Sequence, residues 1–186
     1  MRKILTIVLS IIAINVNAQH LMFENIELGC HILKFEENIL NQGYIMESNY
    51  IRNDTLWEVD YEGKYMSRNV RVTAYLNNLK VFQLHIGGTL IDNLFEDVQI
   101  SDNIRAKLLK NGINAKEYSE DLDETRTEIT YIYNLIGGYL VIRELYVTEN
   151  NTIDASIDTY YVDAIEGEKA YKMGRFVAGA IYIWGD

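Results

Sequence analysis

Between Arg68 and Ile86 the chain alternates apolar and polar positions with the two-residue period of a half-buried strand. Val70, Val72 and Ala74 interleave with Asn69, Arg71, Thr73 and Tyr75. After a turn, Lys80, Phe82, Leu84 and Ile86 interleave with Leu79, Val81, Gln83 and His85. The pattern predicts a β-hairpin with one buried face. A two-residue Asn77-Asn78 loop would set Val72 against Gln83 and Val70 against His85, mixing apolar and polar residues on one face. A three-residue loop, Leu76-Asn77-Asn78, with Asn78 in the left-handed position of a bulge, pairs Val72 with Phe82 and Val70 with Leu84 instead. That register predicts a continuous apolar face and leaves Arg71, Tyr75, Gln83 and His85 on the polar face. These four are the predicted binding residues.

The same reading extends along the chain. Leu28, Ile32, Phe35 and Ile39 share one face of a helix over 28–42, stopped by Gly43. Strands follow over 44–51 and 55–61, with turns at Asn53-Asp54 and Glu62-Gly63, and a further strand through Tyr65 and Met66 enters the hairpin. Beyond Gly87-Gly88, Thr89 and Asp92 resemble a helix-opening capping pair ahead of Leu90, Ile91, Leu94, Phe95 and Val98. A second short helix is predicted from Ser101 or Asp102 to Asn111-Gly112, with Ile104 and Leu108 inward, then an acidic loop over 117–124. Strands over 127–133, 139–147 and 152–162 come next. A helix over 163–173, interrupted at Gly167 and stopped by Gly174, precedes a terminal strand or tail over 176–184. The expected class is α+β, an antiparallel sheet covered by a few helices. The order of elements suggests two tandem α-then-β halves, 19–88 and 89–168, with 169–186 as a C-terminal extension.

The first 18 residues change the picture. Arg2-Lys3, an 11-residue apolar run from Ile4 to Ile14 and a small-residue stretch ending at Ala18 read as a removed signal peptide. The run falls short of the roughly 20 residues of a membrane span. Periplasmic or secreted localisation follows, with no membrane span after processing. Loss of Arg2 and Lys3 takes the formal charge from −10 to −12, which argues against nucleic-acid binding. The 48% hydrophobic composition argues for a folded core. Cys30 is the single cysteine, so no internal disulfide can form. With no proline in the chain, edge strands must be protected by charge or bulges.

The lead-in His20 to Glu27, the helix ending at Gln42-Gly43-Tyr44, Glu62-Gly63-Lys64-Tyr65, Val70-Arg71-Val72 and Tyr160-Tyr161-Val162-Asp163-Ala164-Ile165 come in an order that resembles a group of small exported proteins of Bacteroidetes-type bacteria. That group has no established activity, so the resemblance implies no catalytic residue. The chain departs from the group in lacking proline, in a reduced middle section and in its tail. The two-unit plan is similar to the β-lactamase-inhibitor-protein architecture at the level of fold.

Candidate chemistry is sparse. Cys30 and His31 are adjacent, and adjacent helix positions point about 100° apart. His20, His31, His85 and Cys30 show no zinc-ligand spacing, so no metal is predicted. Asp121-Leu122-Asp123-Glu124 opens like a calcium loop, but Arg126 and Ile132 stand where glycine and glutamate are required. No nucleophile elbow, phosphate loop or dinucleotide fingerprint occurs, so neither a catalytic set nor a cofactor is predicted. Asp54-Thr55-Leu56 matches a tripeptide O-glycosylated in Bacteroidetes exported proteins, which makes Thr55 a candidate acceptor. The expected function is a non-enzymatic exported binding protein whose partner is a protein or envelope glycan. The alternative is a cell-envelope hydrolase using acidic residues.

Overall fold

The computed structural model describes residues 19–52, 55–88, 94–149 and 152–185. The predicted signal segment, the Thr89–Asp92 capping pair with Leu90 and Ile91, and the Asn53-Asp54 turn lie outside these residues. The described chain is α+β. It comprises a small hairpin, β1 (Met22–Phe23) and β2 (Ile26–Glu27), then α1 (Ile32–Asn41), β3 (Ile45–Arg52), β4 (Thr55–Tyr65), β5 (Arg68–Asn77) and β6 (Lys80–Gly88). There follow α2 (Leu94–Lys110), β7 (Ala115–Asp121), β8 (Arg126–Leu135), β9 (Gly138–Glu149), β10 (Thr152–Asp163), α3 (Ala164–Lys172) and α4 (Ala180–Ile183).

Eight strands form one antiparallel sheet in the order β3-β4-β5-β6-β10-β9-β8-β7. A helix followed by four strands occurs on each side of Gly88, and the last strands of the two runs, β6 and β10, meet at the centre of the sheet. One face packs under α1 and α2, where Ile32, Phe35, Ile39, Ile100 and Ile104 meet Val70, Val72, Leu84, Ile86, Leu140 and Ile142. On the other face, α3 and the segment up to α4 cover Phe82, Ile132, Val141, Tyr160 and Val162 with Ala170, Val177, Ala178 and Ala180.

The hairpin adopts neither register considered from sequence. Its loop is Asn78-Leu79, both at positive φ (50° and 61°), and Val72 pairs with Ile86 and Val70 with Gly88. The register shifts where Tyr75 faces Gln83 but Leu76 faces Val81, leaving Phe82 as the extra residue of a bulge. The bulge inverts the phase of β6, so Val81 and Leu84 enter the first core while Phe82 joins the second.

Other expectations are corrected by packing. The acidic loop over 117–124 is largely β7, an edge strand whose charges face solvent. The two short helices merge into α2, with Ser101 buried inside it, because Ile100, Ile104 and Leu108 continue one face. β4 runs through Gly63 to Tyr65, and the turn falls at Met66-Ser67, both at positive φ. Glycine is required at position 63 because Tyr44 packs across it, and a Cβ on Gly63 would lie 2.3 Å from the ring. The first helix starts only at Ile32, with His31 Nδ1 accepting the Leu33 N–H, while Leu28 joins the core. α3 continues through Gly167, which packs under Trp184. The final stretch is not a strand but an irregular cover ending in α4.

Candidate binding groove on the second sheet face

β6 and β10 pair over only four residues, from Ile86 with Thr159 to Gln83 with Val162. Beyond that pairing a groove of about 490 Å³ opens on the second face. β4 lines it with Glu58 and Asp60, β5 with Arg71, Thr73 and Tyr75, β6 with His85, and β10 with Ser156 and Asp158; Asp97 of α2 closes one end. Period-two alternation puts these side chains together. Their sequence neighbours Val59, Tyr61, Val72, Ala74, Leu84 and Ile86 point into the first core.

His85 stacks on Tyr160 with ring centroids 4.8 Å apart, and its Nε2 lies 3.1 Å from Asp158 Oδ1. The hydrogen bond from His85 holds the Asp158 carboxyl below its ordinary range against the desolvation that would raise it. Asp97 behaves in the opposite way. Burial raises its carboxyl, although Oδ1 accepts the Gly88 N–H at 2.7 Å. Burial and then the neighbouring Asp60 raise Glu58. Asp60 accepts from Thr73 Oγ1 and Ser48 Oγ, both at 2.6 Å. Arg71 donates to Glu62 at 2.8 Å, and that bond raises its guanidinium above its ordinary value. Burial and nearby carboxylates push the Tyr75 phenol up to about 12.

The C-terminal segment occupies the rest of this face. Ala178 N–H donates to Gln83 Oε1 at 2.8 Å. The Arg175 guanidinium lies 3.3 Å from the centre of the Trp57 ring. Phe176 meets Tyr160 edge-on at 6.2 Å and Arg143 at 5.8 Å, beside the Arg143–Glu128 ion pair. Tyr182 stacks on Tyr118 at 4.4 Å.

Of the residues predicted from sequence, Arg71, Tyr75 and His85 line the groove together. Gln83 does not: it is 0% exposed, sealed under the C-terminal segment. Thr55 opens β4 opposite Arg52. His20, His31 and Cys30 lie away from the groove and have separate roles. His20 Nδ1 lies 3.0 Å from Asp163, His31 caps α1, and burial raises the half-buried Cys30 thiol. Among the described residues no group of three or more histidines, cysteines or carboxylates is placed to hold a metal ion. Sequence reasoning missed Glu58, Asp60, Asp97 and Asp158. The alternation Glu58-Val59-Asp60-Tyr61-Glu62 was the available signal for the first two.

Chemically, four carboxylates line the groove against His85 and an Arg71 already bound to Glu62. This suits a positively charged or hydrogen-bond-donating group. No protein-family model matches the chain, and the searches of curated proteins and solved structures also returned no match.

Proposed function

We propose that the chain is an exported binding protein without catalytic activity that takes a positively charged group of its partner into the groove. One observation carries the reading: Glu58, Asp60, Asp97 and Asp158 converge on the part of the second face that the C-terminal segment leaves open. Burial raises two of them, and a cation entering the groove would act against that shift by favouring the charged carboxylates. The basic start, apolar run and small-residue end of residues 1–18 support export.

Calorimetric titration with a tetralysine peptide tests this. Binding should weaken with added salt and fall by about tenfold or more, a loss of roughly 1.4 kcal/mol, in a Glu58→Gln/Asp60→Asn variant. Equal binding by that variant, or equal binding of tetraglutamate, would overturn the reading. A second reading, a cell-envelope hydrolase, draws on the opposite displacement of two groove carboxyls, Asp97 upward and Asp158 downward. Turnover of cell-wall glycan by the purified protein, abolished by Asp97→Asn, would favour it.

A further inference from the structure

The two ends of the large sheet are protected very differently. β7 exposes Lys116, Glu117, Glu120 and Asp121, charges that discourage pairing with another strand. At the opposite end, every residue of β3 from Ile45 to Ile51 is exposed, among them Ile45 (65%), Met46 (44%), Tyr50 (51%) and Ile51 (58%). No other described strand pairs with its outer side. Large apolar side chains on either side of Glu47-Ser48-Asn49, on an edge that no other described strand pairs with, make a template for strand addition that Glu47 and two register shifts confine.

We infer that the partner presents an extended polypeptide segment that adds to the outer edge of β3, with alternate basic side chains reaching over the carboxylate face and apolar ones on the other. The inference rests on the reading of the groove as a site for positive charge, and it names the kind of partner. Cross-strand register supplies the two-sided pattern. Tyr50 lies opposite Glu58, Ser48 opposite Asp60 and Ile45 opposite Glu62, so the carboxylates stand directly behind one side of β3. Met46 lies opposite Tyr61 and Asn49 opposite Val59, on the apolar side. An added strand would stand two strand spacings from β4, about 10 Å, a gap that a lysine and a glutamate span together. Register shifts at Glu47 and opposite Trp57 bracket a regular stretch from Ser48 to Tyr50, which is where the added ladder would begin.

Charge decides between occupants. A second copy of this chain would present residues 45–51 of its own β3, which hold no lysine or arginine, and would add a further formal charge of −10. A basic, alternating segment meets opposite charge on one side and exposed Met46 on the other.

The experiment titrates the intact protein with a heptapeptide alternating lysine and valine, and with the same peptide N-methylated at alternate amides, which keeps charge and removes ladder donors. The unmodified peptide should bind at least about tenfold more tightly, and those amide protons of residues 48–51 that face away from β4 should gain exchange protection. Equal binding of the two peptides would overturn strand addition while leaving the groove reading in place. Tight, N-methyl-sensitive binding that Glu58→Gln/Asp60→Asn leaves unchanged would overturn the groove reading, and with it the basic pattern assigned to the partner. A concentration-dependent dimer in sedimentation, with its contact at β3, would also overturn the inference, because the edge would then serve a second copy.

Discussion

Gln83 accepts a hydrogen bond from a residue 95 positions away in the chain, the Ala178 N–H. Its Nε2 is buried without a partner among the described residues, so the carbonyl oxygen is the end of the side chain that bonds there. Removing that acceptor leaves a buried amide unpaired, and Gln83→Ala is expected to destabilise the fold by about 1–3 kcal/mol. Urea titration measures it, and a change under about 0.5 kcal/mol would mean that the C-terminal segment is not held there. Arg71, by contrast, lies at the half-exposed edge of the groove with Glu62. Its substitution belongs to binding more than to stability.

Among the elements, α3 is fastened at both ends of its first turn. Asp163, fully buried, accepts from the Ile165 and Glu166 N–H groups as the helix N-cap, and also from the Leu21 N–H at 3.0 Å. His20 Nδ1 lies at the same distance from that carboxylate. Glu166 meets Lys80 of the hairpin and Lys169 of its own helix, which hold its carboxyl below the ordinary range against desolvation. One residue thus joins the N-terminal lead-in, the end of β10 and the start of α3. Asp163→Ala should cost about 2–4 kcal/mol, more than a cap alone, because it orphans buried donors as well. Faster exchange at the Leu21 amide should accompany the loss. A loss of only about 1 kcal/mol with unchanged exchange would show that the lead-in is held by its apolar contacts.

For the whole molecule, the sheet is covered more fully on one face than on the other, and the open part of the second carries the unbalanced carboxylates. This gives stability two opposing dependences on pH. Hydrogen bonds from His85 and Arg143 lower the folded-state values of Asp158 and Glu128. The stability they contribute is present above the unfolded value near 4 and is lost as pH falls through the lower folded values. Asp97 and Glu58 are raised, so stability drops as pH rises through the interval between their unfolded and folded values. Melting temperatures followed from about pH 3 to about pH 7 should separate them. Relative to the parent, Asp97→Asn should gain with rising pH, since asparagine keeps the acceptor for Gly88, whereas Asp158→Asn should lose. Parallel curves for the two variants would contradict this assignment.

Local periodicity was enough to establish an antiparallel α+β chain. It located β3 to β6 and β8 to β10 but read β7 as a loop, gave helix stops at Gly43 and Gly174, and put Asn78 in the left-handed region. It also set Arg71, Tyr75 and His85 on a common side, because side-chain direction along a strand depends only on neighbouring residues. Tertiary structure decided the rest. Phe82 changed faces because a bulge reset the phase of β6, and a bulge depends on how two strands meet. Gln83 was buried because a segment beyond residue 174 returned over the sheet, and alternation cannot tell a face covered by distant chain from one facing solvent. Asp97 reached the groove because the start of α2 is tied back to Gly88 at the end of β6, and Asp158 joined Glu58 and Asp60 because β10 docked on β6, a pairing between residues more than 70 positions apart, for which no local pattern carries a signal.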